Sequence, residues 1–176
     1  MRKTDLSLLR ATPRHIPLIK HWLAEPAVRR GWGRVVNNLQ ELREDLSVGQ
    51  TDIYPYLICL ESKGPVGYVQ VSDSLLFDRE YIDEMTPGGF NIDIFIALPL
   101  LRGRGIGSWA IREARRLSII EATLEQTPPA FYAWILESNR QSQCAFEKCG
   151  YRLYEGSDAP ELLPATIYWL DGTARK

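Results

Sequence analysis

Residues 101–108 of this chain run Leu101, Arg102, Gly103, Arg104, Gly105, Ile106, Gly107, Ser108. They follow an apolar, strand-like run from Phe90 to Ala97 and open a run of helical character from Ser108 to Leu124. Any fold for this chain must therefore place a strand, a tight glycine turn and a helix start in succession. Glycines let a backbone approach a ligand closely, and the first N–H groups of a helix have no partners of their own. Those donors, the helix dipole and the fixed charges of Arg102 and Arg104 favour an anion. A phosphate or pyrophosphate held over Gly103, Gly105, Ile106, Gly107 and Ser108 is the ligand this chemistry asks for. The alternative is a surface turn with helix-capping glycines.

The spacing excludes two common phosphate folds. A dinucleotide fingerprint would place Gly-x-Gly-x-x-Gly early in the chain, with an acid about 20 residues on. A Walker loop would end in Gly-Lys-Ser/Thr. Neither occurs here.

A length of 176 residues fits one domain spanning 1–176, with a frayed tail over 171–176. A net charge of −1 argues against a nucleic-acid partner. No apolar run reaches membrane-spanning length and the N-terminus has no apolar signal core, so the expected location is the cytoplasm. Cys59, Cys144 and Cys149 show neither disulfide nor zinc spacing, and His15 and His21 have no clustered partners. No metal is expected.

Periodicity predicts a mixed α+β sheet. Strands are expected over 6–11, 54–60, 66–72, 90–97, 131–136, 151–155 and 166–170. Thr12-Pro13 reads as a helix start, the segment from Glu25-Pro26 to Gly33 as a helix break, and Asn38 to Gly49 as a second helix. The stretch from Asp73 to Gly89 reads as an acidic loop. A last helix runs from Asn139 to Cys149 and is closed by Gly150.

The second half resembles the GCN5-related N-acetyltransferase (GNAT) family. The family's loop, Gln/Arg-x-x-Gly-x-Gly/Ala, is matched by Arg102, Gly105 and Gly107. Its second signature, Asn-x-x-Ala-x-x-x-Tyr-x-Lys-x-Gly-Phe, is matched as Asn139, Ser142, Phe146, Lys148, Gly150 and Tyr151. Within the family the chain is most similar to aminoglycoside 6-prime N-acetyltransferases, at Trp32-Gly33, Pro55-Tyr56, Gly67 to Gln70, Pro87-Gly88 and Ile92-Asp93. The resemblance implies a GNAT fold: a mixed, mostly antiparallel sheet, splayed between its fourth and fifth strands, with helices on both faces. It implies acetyl-CoA as co-substrate and a primary amine as acceptor. The backbone at Phe95, Ile96 and Ala97 would pair with the pantetheine arm, and Asn139 and Lys148 would lie near the donor.

Acetylating an amine requires a base for its proton. Asp93 is the candidate, because it interrupts an apolar strand and stands where the 6-prime enzymes carry their proposed catalytic acid. The competing reading is an acid on the strand's solvent face. Phe146 replaces the tyrosine that the family often uses to protonate the thiolate, and phenylalanine has no proton to give. Ser142, Tyr151, water or unassisted departure are the substitutes. For the acceptor, Trp32, Tyr68, Tyr81 and Trp134 offer flat walls, with Gln70, Glu80, Asp83 and Glu137 as polar contacts. Trp32 and Trp134 read somewhat more readily as core than as ligand contacts, and the acids read equally as a solvated loop. The leading expectation is transfer of acetyl to the 6-prime amine of an aminoglycoside in a ternary complex, by a monomer or homodimer. Another amine (a siderophore hydroxylysine, a polyamine or a protein N-terminus) and a non-catalytic acetyl-CoA sensor are the alternatives.

Overall fold

The computed structural model describes residues 5–32, 39–47, 52–73, 89–121, 130–153 and 165–171. Seven strands form one sheet: β1 (Leu6–Arg10), β2 (Ile53–Leu60), β3 (Gly64–Asp73), β4 (Phe90–Ile96), β5 (Ala130–Leu136), β6 (Arg152–Leu153) and β7 (Ala165–Asp171). Their spatial order is β1-β2-β3-β4-β5-β7-β6. Every neighbouring pair is antiparallel except β4 and β5, which are parallel. The helices are α1 (Ile16–Leu23), α2 (Pro26–Trp32), α3 (Leu39–Asp45), α4 (Ile106–Glu121) and α5 (Arg140–Glu147).

Alternation along the strands sends successive side chains to opposite faces, and both faces are apolar. On one face Ile58, Val69, Val71, Ile92 and Phe131 pack against Ile106, Ala110, Ile111 and Ala114 of α4 and Phe146 of α5. On the other, Leu57, Tyr68 and Phe95 pack against Ile19 and Trp22 of α1, Val28 of α2, and Leu42 of α3. Burying each large apolar side chain contributes on the order of 1.5–3 kcal/mol. These two layers hold β3 and β4 rigidly between helices.

The parallel pair creates an opening in the sheet. β4 and β5 are in register only at Phe90–Phe131 and Asn91–Tyr132. Beyond those pairs β4 stays bonded to β3 as far as Ile96, and β5 stays bonded to β7 as far as Leu136. The sheet is thus splayed between its fourth and fifth strands, as expected.

One expectation holds only in part. The first helix does end at Leu23, before Glu25, but the segment that follows forms a new helix, α2. Pro26 sits at the first helical position, where its missing N–H costs nothing, and a Glu25 carboxylate oxygen accepts the Val28 N–H at 2.9 Å. A smaller difference lies at Thr12-Pro13, where the chain makes a 3-10 turn (Pro13–His15) before α1. His15 is engaged there, its Nδ1 lying 3.0 Å from the Thr12 N–H.

Candidate active site

A cleft of about 440 Å³ occupies the splay. Its walls are Ile94, Phe95 and Ile96 of β4, the glycine turn with the first residues of α4, one side of α5, and Ala27, Val28 and Gly31 of α2. Gly103 and Gly105 have φ of 73° and 81°, a conformation that glycine adopts without strain. The bond from Trp109 N–H to Gly105 C=O, at 3.0 Å, begins the α4 ladder. Among the described residues, no main-chain bond is donated by the N–H groups of residues 103–108. A methyl added at Gly103, Gly105 or Gly107 would meet no protein atom within 4 Å. A run of unengaged donors beside open space fits the diphosphate of a coenzyme A thioester. Arg102, Arg140 and Lys148 line the same cleft and make its rim basic. Arg104 is exposed next to it, Ser108 and Gly107 border it, and the Ile106 side chain is buried in the core.

Arg102 has a second task that its sequence neighbours did not reveal. Its Nε donates to the Ile96 carbonyl at 2.9 Å, and its Nη2 reaches the Ala97 carbonyl at 3.2 Å and Glu25 Oε2 at 3.4 Å. The guanidinium ties the glycine turn to the end of β4 and to the start of α2. Glu25 is held below the usual carboxylate value, first by the Val28 N–H and also by Arg102.

The main-chain expectation for Phe95 and Ala97 needs correction. Ala97 N–H donates to Val66 C=O of β3 at 2.9 Å, and its own carbonyl accepts from Arg102. In an antiparallel ladder alternate residues turn their N–H and C=O to the same neighbour. Phe95, opposite Tyr68, therefore also faces β3. Ile94 and Ile96 present their main chain to the splay, and of these the Ile96 carbonyl is already bonded to Arg102. The register is off by one residue from the carried-over reading.

Asp93 stands on the other side of β4 from the α4 core, directly opposite Gln70 of β3. It is half-buried and is the first side chain on that face after the last β4–β5 pair at Asn91. Its Oδ2 accepts from Gln70 Nε2 at 3.3 Å and from Asn91 Nδ2 at 3.1 Å. The same register puts Tyr132 and Trp134 of β5, and Trp169 of β7 opposite Tyr132, on the Asp93 face. Trp134 and Trp169 are half-buried around Tyr132 and Ile167.

Other expected acceptor contacts are placed differently. Tyr68 is only 1% exposed, so it cannot be a wall for a substrate. Its hydroxyl donates to Gln70 Oε1 at 2.9 Å, which also turns Gln70 from a substrate contact into a partner of Asp93. Trp32 is half-buried and packs edge-on against Phe95 at 5.0 Å and tilted against Tyr68 at 5.9 Å. Glu137 is exposed in the turn after β5 and does not border the cleft. Glu80, Tyr81 and Asp83 lie outside the described residues, as do Gly33 and Pro87-Gly88.

On the thiolate side, Phe146 is buried in the α4 core, edge-on to Tyr151 at 4.9 Å. Tyr151 is itself core: its hydroxyl is buried with no partner among the described residues, and burial pushes its phenol far up. Of the two substitute hydroxyls, only Ser142 lines the cleft. Asn139 caps α5 by accepting the Ser142 N–H at 3.2 Å, and its Nδ2 would lie 3.0 Å from a methyl on Gly31. This close approach of α2 to α5 was invisible in the sequence, as were Asn91, Ile94 and Trp169. Strict alternation from Asp93 to Asn91 was the one available signal. No cluster of metal-ligating side chains occurs among the described residues.

Residues 5–152 match the family described as acetyltransferase (GNAT) domain. No curated protein sequence matches the chain. Among solved structures, the aminoglycoside acetyltransferase AAC(6')-Ib in complex with paromomycin and acetyl-CoA superposes with a TM-score of 0.76 at 22% identity, covering 95% of this chain and 93% of that one. Spermidine N-acetyltransferase from Vibrio cholerae, in complex with CoA and spermine, gives 0.69 at 13% identity, covering 97% of each. Aminoglycoside N(6')-acetyltransferase from Legionella pneumophila gives 0.65 at 14% identity, covering 97% of this chain and 94% of that one. At these identities the superpositions establish a shared fold.

Proposed function

Because this chain belongs to the GNAT acetyltransferase family, we propose that the acceptor for its acetyl-CoA-dependent N-acetyl transfer is the 6-prime amine of an aminoglycoside, and that Asp93 is the base. The observation carrying this reading is the half-buried Asp93 carboxylate, on the strand whose next three residues border the donor cleft. Gln70 and Asn91 hold that carboxylate at one oxygen, which orients an acid able to take a proton from an amine on this face. Trp134 and Trp169 give the same face flat apolar surface, which suits a sugar ring. The likeness to AAC(6')-Ib bound to paromomycin supports the same acceptor class.

Acetyl-CoA supplies the activated acyl group. The N–H groups of residues 103–108 hold its diphosphate, and the main chain of Ile94 and Ile96 lines the pantetheine arm. Asp93 takes the amine proton as the nitrogen lone pair bonds to the acetyl carbon. The carbon–sulfur bond breaks, its electron pair leaves on sulfur, and Ser142 or solvent returns a proton. A thiolate of cysteine-like basicity leaves without strong assistance, which makes Phe146 compatible with turnover. No residue forms an acyl intermediate.

A polyamine acceptor is the second reading, favoured by the likeness to the spermine-bound Vibrio enzyme. Turnover with acetyl-CoA, followed by free-thiol release, separates the two when kanamycin, tobramycin and spermidine are compared. Asp93→Asn should lower kcat by a factor on the order of 100 or more, the usual scale for a lost general base. CoA binding by calorimetry should be unchanged. Full turnover by Asp93→Asn would remove the base from this account, and acetylation of spermidine alone would replace the acceptor.

A further inference from the structure

Resting on the reading of Asp93 as the base, we propose that Tyr68, Gln70 and Asn91 form a positioning relay that fixes the rotation of the Asp93 carboxylate. None of the three is a catalytic residue in this scheme; they act through Asp93.

The relay follows from register. β3 and β4 pair Tyr68 with Phe95, Gln70 with Asp93 and Ser72 with Asn91, so all six side chains share one face. Gln70 is therefore the direct cross-strand neighbour of Asp93, and Asn91 is its same-strand neighbour two residues back. Both amides donate to one oxygen, Oδ2, at 3.3 and 3.1 Å. A carboxylate held at one oxygen by two donors, one from each strand, cannot turn freely about its last torsion.

An amide can turn end for end, so something must keep the Gln70 NH2 aimed at Asp93. Tyr68 does this by donating its hydroxyl to Gln70 Oε1 at 2.9 Å. Burial holds the Tyr68 phenol well above its ordinary value; Asp45 of α3 and Asp93 add to the rise, and Arg10 offsets part of it. The phenol is therefore protonated, and able to donate, at neutral pH. Its ring is fixed in turn, 5.9 Å from Trp32 and 5.8 Å from Phe95, while Phe95 sits edge-on to Trp22 at 6.1 Å. The orientation of the base is thus anchored in the aromatic cluster beneath α1 and α2.

Two substitutions test the relay, each beside Asp93→Asn. Gln70→Glu keeps an acceptor for Tyr68 but sets a second carboxylate against the first. The acidic limb of kcat/KM should move to higher pH by about one unit or more, because like charge disfavours ionisation of the base. Tyr68→Phe keeps the ring packing and frees the amide. It should lower kcat about three- to tenfold, the rate equivalent of one neutral hydrogen bond, with KM for acetyl-CoA unchanged. CoA binding by calorimetry and the unfolding midpoint report whether each variant is folded. If Gln70→Glu fails to fold, Tyr68→Phe carries the test alone. Parent-like kcat and pH profile in the folded variants, with Asp93→Asn inactive, would overturn the relay and leave the base in place. Full turnover by Asp93→Asn would overturn both.

Discussion

Gly105 and Gly107 stand two residues apart in the glycine turn, and the same change at each should have opposite effects on stability. Gly105 holds φ at 81°, where an L-residue is strained whatever the space around it. Alanine there costs roughly 1–2 kcal/mol of backbone strain. For a chain of this length that lowers the unfolding midpoint by about 2–8 °C. Gly107 lies in the first turn of α4 and an added methyl meets no protein atom within 4 Å. Alanine there gains about 0.5–1 kcal/mol through the unfolded chain's lost freedom, raising the midpoint by about 1–4 °C. Donor binding should separate them as well. Strain at Gly105 re-aims the N–H groups on either side, and losing one charge-assisted bond costs about 1.5–3 kcal/mol, or about 10- to 150-fold in Kd. Gly107→Ala should weaken binding far less, since the family pattern accepts alanine there. Scanning calorimetry without ligand and titration calorimetry with CoA measure the two effects. A Gly105→Ala variant as stable as the parent, binding CoA as tightly, would refute both the turn geometry and the donor site built on it.

Arg102→Met should lower stability in urea by about 1–3 kcal/mol, mainly through the Ile96 and Ala97 carbonyls it bonds; the solvent-screened ion pair to Glu25 adds little. An unmoved midpoint would show that the staple carries no load. Acid should destabilise the fold in a predictable window. Glu25 is held below the usual carboxylate value first by the Val28 N–H, and Glu113 first by Arg116. Their contributions are complete at neutral pH and disappear as pH falls through the depressed folded values. The unfolding midpoint should be flat down to about pH 5 and drop below it, with a shallower drop for Glu25→Gln; a midpoint that rises on acidification contradicts this sign. Ser142→Ala should reduce kcat less than about tenfold, because the leaving thiolate needs little help. A loss as large as that of Asp93→Asn would make Ser142 an obligatory acid.

The glycine turn, most of the strands and the cap of α5 were legible because each depends on short-range pattern, while the splay of the sheet came from the family resemblance. Glycine spacing, strand alternation and an asparagine cap act within a few residues of themselves. The place of Asp93 in an apolar strand was legible for a related reason: an acid there is a local anomaly. Helix α2 was missed because proline and glutamate after a helix look like a stop, and here they both follow the end of α1 and start the next helix. Arg102 was read as a phosphate ligand, yet its guanidinium also bonds β4 and Glu25, 77 residues away in sequence.

What the chain order alone decides is which donors, acids and apolar faces exist and with what period. Packing decides the phase. Whether Phe95 or Ile96 turns its main chain to the splay depends on one residue of register against β3, and a slip of one residue would send every β4 side chain to the opposite face. The same register makes Gln70 the neighbour of Asp93 and sinks Tyr68 beneath them. A sequence carries no such information locally, because cross-strand partners meet only after the helices on either side have closed over the sheet.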